Sequence, residues 1–251
     1  MSFTLKQSIT LCDRIYNSDF QDREVIAGAT VEKAWRNDNY GHDFVLCSTE
    51  DDIIIGIRGT NFDEMSDILT NIKLAKEKVT LHDGRTMKVH KGYHQAANEI
   101  IKLLKNKLDM LILAKMRPIH VTGHSLGGAV GALVALYLQD RGYDDVSCRT
   151  FAAPALGDSR FRSIMETEFP TFERYVYELD YVPFLLFFYH HPAPAIILYK
   201  DGTSVVHERN IWLTIVRIIL MAIASKAKRM EAFYAHYPFT YADAIDLMKK
   251  E

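Results

Sequence analysis

The sequence contains few cysteines and no excess of positive charge. Its three cysteines, Cys12, Cys47 and Cys148, form no Cys-x-x-Cys pair, which argues against a disulfide framework and against a zinc site. The 30 Lys and Arg residues against 32 Asp and Glu residues give a formal net charge of -2. A chain without a net positive field is a poor ligand for polyanions, so we expect no nucleic-acid partner.

The sequence has no long apolar run, and its first residues do not resemble a secretory leader. The longest apolar stretch, residues 211–224, contains Arg217 and is shorter than the roughly 20 apolar residues that a membrane-spanning helix needs. The first eight residues, MSFTLKQS, have no basic start and no apolar run, which predicts an intracellular protein without a signal peptide. Repeats and linker-like tracts are absent, which indicates one domain over residues 1–251.

The spacing of apolar residues predicts strands that alternate with helices. The N-terminal segment 1–40 is expected to be helical, chiefly over residues 4–17, and to pack on the rest of the domain. Hairpins are predicted at residues 44–57, about Asp83-Gly84 and at residues 196–207. Further strands are predicted at 118–122, 149–153 and 175–179, and helices around 100–111, at 127–138 and at 241–249. This alternation is typical of an α/β fold with a largely parallel sheet.

A Gly-x-Ser-x-Gly motif, Gly123-His124-Ser125-Leu126-Gly127, lies between a predicted strand and a predicted helix. In that setting the motif forms a sharp turn that presents the serine hydroxyl at the end of the strand. The two glycines suit such a turn because a larger side chain would collide where the backbone bends back. Ser125 is therefore the candidate nucleophile.

A serine hydroxyl needs a histidine to accept its proton, and four histidines follow Ser125. His236 is preferred because it lies in a loop just before the predicted terminal helix. His207, on the last strand of a predicted hairpin, is the second choice. His190 and His191 precede two prolines in a rigid loop, where packing alone explains them.

The histidine in turn needs a carboxylate, which keeps the ring proton on the nitrogen that faces away from the serine. Asp180 directly follows the predicted strand 175–179, which places it at the carboxyl edge of the sheet beside the serine turn. Asp158 competes with it, although Gly157-Asp158-Ser159 also suits a turn or a helix cap. We prefer Asp180.

Two main-chain N–H groups should stabilise the oxyanion of a tetrahedral intermediate. One normally belongs to the residue after the nucleophile, here Leu126. The second should come from a loop that leaves a neighbouring strand, and Gly59-Thr60 after the strand 53–57 fits this requirement. We therefore expect the amides of Thr60 and Leu126 to form the oxyanion hole.

Five segments together resemble the class 3 lipase family of fungal-type lipases. They are IRGT at 57–60, VHKGY at 89–93, VTGHSLGGA at 121–129, FAAP at 151–154 and DYVP at 180–183. The resemblance covers residues 53–241. It implies an α/β-hydrolase fold with a mostly parallel central sheet flanked by helices, a triad of Ser125, Asp180 and His236, and an oxyanion hole at Thr60 and Leu126. It also implies an acyl-lipid substrate and no metal or organic cofactor.

The expected activity is that of a carboxylic ester hydrolase, a lipase that cleaves acyl-glycerol esters through an acyl-enzyme. A phospholipase A1 acting on glycerophospholipids is the alternative among enzymes, because the motifs do not reveal head-group contacts. A lipase-like scaffold that binds lipid or protein partners without turnover is the alternative of another class.

Two segments depart from the pattern of the family. Residues 61–88 are largely polar, whereas family lipases usually have an apolar lid helix in this region. Conversely, the segment 209–231 combines the apolar run 211–224 with basic residues at 226–229. It suits either a cap over the acyl pocket or a helix buried in the core.

From this composition we expect peripheral contact with a membrane or lipid-droplet surface through residues 211–229. In flotation with liposomes, the wild-type chain should rise with the lipid and a variant with Trp212→Glu and Leu220→Glu should not. Equal flotation of the two proteins would contradict the contact.

Overall fold

A computed structural model gives the fold of residues 3–17, 19–36, 43–60, 75–184, 186, 188–207 and 234–248, and every structural statement below concerns these residues. The apolar segment 209–231 and residues 61–74 of the polar segment lie outside them. Within the described ranges, no helix is long and apolar enough to cross a membrane.

Eleven strands and five α-helices are present in the described residues. The strands are β1 (Val25–Ile26), β2 (Ala29–Trp35), β3 (Phe44–Ser48), β4 (Ile53–Ile57), β5 (Lys76–Thr80), β6 (Thr86–His90), β7 (Ile119–His124), β8 (Val146–Phe151), β9 (Glu173–Tyr177), β10 (Ala195–Leu198) and β11 (Ser204–His207). The helices are α1 (Leu5–Arg14), α2 (Lys91–Ala114), α3 (Leu126–Asp140), α4 (Ser159–Glu168) and α5 (Pro238–Leu247), with a 3-10 turn at Val182–Phe184.

Nine of these strands form one sheet in the order β1-β2-β3-β4-β7-β8-β9-β10-β11. The pairs from β4 through β10 are parallel, whereas the pairs at both ends of the sheet are antiparallel. Strands β5 and β6 form a separate hairpin. The predicted α/β class, with a mostly parallel centre flanked by helices, is confirmed, and all three predicted hairpins are present.

The central strands are covered on both faces, as their sequences indicate. All five residues of β4, sequence IIIGI, are buried, which is expected of a strand between two layers. Helix α3 is buried at every residue from Gly127 to Leu138 and packs on β7, β8 and α2. Its many small side chains allow this close packing, so the start of α3 is fixed relative to the ends of the central strands.

The N-terminal segment 1–40 is not helical throughout, contrary to the sequence prediction. Helix α1 ends at Arg14, and β1 and β2 follow it. Strand β2 pairs with β3, and its residues Ala29 and Val31 are fully buried, while the residues next to them are only partly buried. The prediction was wrong here because the edge of β3 offers unpaired backbone groups that β2 satisfies, a long-range pairing that local periodicity does not reveal.

Gly127 allows the start of α3 to lie directly on the end of β4. A β-carbon at this position would overlap with the carbonyl oxygen of Ile57 and with the backbone of Arg58. Gly131, one turn further along the same helix, is different: its β-carbon would meet Val121 at an ordinary contact distance of 3.5 Å.

We therefore expect Gly127→Ala to lower the free energy of unfolding by about 1–3 kcal/mol, because the backbone must shift to accept the methyl group. The matched variant Gly131→Ala should leave it unchanged or raise it by up to about 1 kcal/mol, since alanine favours a helix. Chemical denaturation of both variants measures these values. Equal effects at the two positions would contradict the close approach at Gly127.

Candidate active site

Ser125 occupies a strained turn between β7 and α3. Its backbone angles are φ 56° and ψ -130°, a conformation that is uncommon for a residue with a side chain. The turn is held because the Ser125 amide donates a hydrogen bond to the Phe151 carbonyl at 2.8 Å. Gly123 is needed as well, since a β-carbon there would overlap with the Gly127 carbonyl. The predicted strand-to-helix turn is therefore present, with Ser125 at its apex.

The side chains of Ser125, His236 and Asp180 form a continuous line of hydrogen bonds. Nε2 of His236 lies 2.9 Å from Oγ of Ser125, and Nδ1 of His236 lies 2.8 Å from Oδ2 of Asp180. An ionised carboxylate only accepts hydrogen bonds, so Nδ1 carries the ring proton and Nε2 is free to accept the serine proton. All three residues are 1% exposed. This arrangement is suited to transferring a proton from the serine hydroxyl to the imidazole.

The Asp180 carboxylate is held by two further donors. The Val182 amide donates to Oδ1 at 2.9 Å, and the Tyr241 hydroxyl donates to Oδ2 at 2.6 Å. Burial and the negative charge of Asp180 raise the pKa of Tyr241 well above its usual value, so the phenol stays protonated and remains a donor. The carboxylate is therefore fixed in position, and these hydrogen bonds partly balance its charge.

Sequence reasoning assigned no role to Tyr241. It included this residue only as the first residue of the predicted terminal helix, whereas α5 begins at Pro238. The sequence does contain one indication of this role. Tyr241 follows His236 by only five residues, so a loop histidine and a side chain of the next helix can approach the same carboxylate. Only the fold shows that this carboxylate is Asp180.

The ends of β4 and β7 bring the expected oxyanion residues to the same edge of the sheet. In this parallel pair, Ile57 stands opposite Gly123. The following Gly59 lies against the serine turn, because a β-carbon built on it would be 2.7 Å from the His124 carbonyl oxygen. Thr60 comes next in the chain, and Leu126 is the first residue of α3. Both amides thus belong to backbone that adjoins Ser125.

The alternative acid and bases lie elsewhere or have other roles. Asp158 caps α4, where its carboxylate accepts the Phe161 amide at 2.9 Å. His207 lies on the edge strand β11, and His190 forms an isolated β-bridge with Gly157. Of the candidate acids and bases, the structure joins Asp180 and His236 to Ser125.

The described part of the chain contains no group of three or more His, Cys, Asp or Glu residues arranged to hold a metal ion. Its three cysteines are free and buried. Burial raises the pKa of Cys12 and of Cys47 to about 12, which keeps both thiols protonated and unreactive at neutral pH.

A strained serine turn at the end of a central parallel strand, with a histidine and a buried carboxylate in line, defines an α/β-hydrolase fold with serine-hydrolase geometry. Within that class, the model of the class 3 lipase family matches residues 54–190 of this chain. The chain belongs to the class 3 lipase family.

Two curated relatives share part of this sequence. Secreted mono- and diacylglycerol lipase 1 of Fusarium solani is 28% identical over 147 residues, which cover 57% of this chain and 43% of the relative. A lipase of Rhizomucor miehei is 35% identical over 103 residues, which cover 39% of this chain and 28% of the relative. The matches thus span less than half of each relative.

The fold extends the similarity over nearly the whole chain. A crystal structure of a fungal lipase superimposes with a TM-score of 0.75 and 18% sequence identity, covering 96% of each chain. At this identity the match establishes the architecture only.

The predicted intracellular location is wrong. The Fusarium solani relative is named as a secreted lipase, which points to the outside of the cell. The prediction used only the composition of the first eight residues.

Proposed function

We propose that this protein is a serine carboxylic ester hydrolase, a lipase that cleaves acyl-glycerol esters through an acyl-enzyme. The observation that carries the proposal is the unbroken line of hydrogen bonds from Ser125 Oγ through His236 to Asp180, at 2.9 Å and 2.8 Å. A buried serine, histidine and carboxylate so arranged at a strained turn suit nucleophilic catalysis. Membership of the class 3 lipase family supports the same reaction class.

In the proposed reaction, Oγ of Ser125 attacks the ester carbonyl carbon while Nε2 of His236 takes the serine proton. The oxyanion accepts hydrogen bonds from the amides of Thr60 and Leu126. Collapse of the intermediate breaks the ester bond, and His236 returns the proton to the departing alcohol. Water then attacks the acyl-enzyme, with His236 as base, and the fatty acid leaves as Ser125 regains its hydrogen. Asp180 stabilises the imidazolium throughout.

The surroundings of the site favour an apolar acyl chain as substrate. Large apolar side chains next to Asp180 and His236 in the chain remain exposed: Leu179 at 43%, Tyr234 at 52% and Phe239 at 47%. Exposed apolar surface is typical of regions that bind apolar ligands or lipid surfaces. Contact with a lipid surface through residues 211–229 is part of this proposal and is based on the sequence alone.

Among acyl lipids, we propose the esters of partially acylated glycerol as the first substrates to examine, because one relative is named as a mono- and diacylglycerol lipase. Glycerophospholipids are the competing substrates. Hydrolysis rates on monoacylglycerol, diacylglycerol, triacylglycerol and phosphatidylcholine would rank them. Faster release of fatty acid from phosphatidylcholine would replace the acylglycerol assignment by a phospholipase A1.

The central test is labelling with a fluorophosphonate probe followed by ester hydrolysis. Wild-type protein should be labelled, and Ser125→Ala and His236→Ala should abolish labelling and lower kcat by about 10⁴-fold or more. The matched control is His207→Ala, which removes the alternative histidine and should leave both readouts unchanged. Thermal melting verifies that each variant is folded.

Folded wild-type protein that is never labelled, with or without lipid, would contradict the proposal and favour a binding scaffold. Loss of activity in His207→Ala but not in His236→Ala would contradict the assignment of the base.

A further inference from the structure

Tyr16 reaches the serine turn from the end of α1. It follows the C-cap residue Ile15, and its phenolic oxygen lies 2.9 Å from Nδ1 of His124. The same oxygen lies against Gly59, because a β-carbon built on that glycine would overlap with it. Burial raises the pKa of Tyr16 far above its usual value, so the hydroxyl keeps its proton and is able to donate it to Nδ1 of His124. One hydroxyl thus contacts both the expected oxyanion loop and the serine turn.

His124 continues this connection towards His236. With Nδ1 accepting the tyrosine proton, a neutral His124 carries its own proton on Nε2. The two imidazole rings are 4.9 Å apart between centroids. Burial and the nearby His236 hold the pKa of His124 well below its usual value, so the ring stays neutral. It therefore does not repel the positive charge that His236 acquires when it takes the serine proton.

The ring of Tyr16 is itself held in place. The Arg58 guanidinium lies 5.7 Å from the centre of the ring, and it forms an ion pair with Asp43 that is largely buried. The Arg58 amide also donates to the Asp43 carbonyl at 3.0 Å. Since Gly59 and Thr60 directly follow Arg58, the residue that packs on Tyr16 also begins the oxyanion loop.

We propose that Tyr16 is a positioning residue that couples the oxyanion loop to His236 through His124. The Tyr16 hydroxyl lies against Gly59 and is 2.9 Å from Nδ1 of His124, and the His124 ring packs on the His236 ring at 4.9 Å between centroids. No covalent bond changes along these contacts. They keep the oxyanion loop and the imidazole of His236 in a fixed relation. The inference rests on the proposed function, because it assigns roles to His236 and to the loop.

The test is Tyr16→Phe, which removes only the hydroxyl and keeps the ring against Arg58. We expect the rate constant of fluorophosphonate labelling and kcat on a soluble ester to fall by about 10- to 100-fold, because small displacements of reacting groups have effects of this size. KM should stay within about twofold. The final labelled fraction should match wild type, since the protein is folded and Ser125 is present.

The matched control is Tyr143→Phe. It removes a hydroxyl that donates to Asp109 at 2.5 Å, beyond the far end of α3 and about 20 Å along the helix from Ser125. Both readouts should equal those of wild type. If Tyr16→Phe does not fold, His124→Gln replaces it, because it removes the ring nitrogen that faces the Tyr16 hydroxyl and the ring that packs on His236. The same slowing is expected.

An unchanged labelling rate in folded Tyr16→Phe would overturn the positioning role while leaving the proposed function intact. A smaller labelled fraction with an unchanged rate per labelled site would also overturn it, because Tyr16 would then act on stability alone. Wild-type protein that is inert to the probe would instead remove the proposed function, and the role of Tyr16 with it.

Discussion

The left-handed backbone of Ser125 can exist only because the elements around it approach one another closely. Gly127 rests on the last residues of β4, and Gly123 lies against the carbonyl of Gly127. The Phe151 carbonyl at the end of β8 accepts the Ser125 amide. Three parallel strands and one buried helix thus hold a single strained residue. The packing of the central layer and the chemistry of the site therefore depend on the same few contacts.

Asp180 also depends on its neighbours, because a buried negative charge must be compensated by hydrogen-bond donors or by opposite charge. Asp180 receives donors from His236, from the Val182 amide and from the Tyr241 hydroxyl. Two of these donors come from the C-terminal part of the chain. The contacts between α5 and α1, and between α5 and β9, hold that part on the body of the protein. The C-terminal helix is in this sense part of the site as well as part of the fold.

Sequence patterns were sufficient for the elements whose signal is local. The turn at Ser125 followed from glycine spacing between an apolar strand and an apolar helix, and Asp180 followed from its place after a strand. The contacts of Tyr241 with Asp180 and of Tyr16 with His124 join residues 61 and 108 positions apart, so no local periodicity could indicate them. Strand β2 was missed because its partner β3 becomes adjacent only when the sheet assembles, whereas the short hairpin of β1 and β2 about Ala27-Gly28 is local and was not recognised.

In the proposed mechanism, Ser125 lies between His236 on one side and the amides of Thr60 and Leu126 on the other. A crystal structure of the protein after reaction with a phosphonate inhibitor would test this arrangement. We expect phosphorus bonded to Oγ of Ser125 and a phosphoryl oxygen within about 3 Å of both amide nitrogens. A phosphoryl oxygen that points away from both amides, or an adduct on another residue, would contradict it.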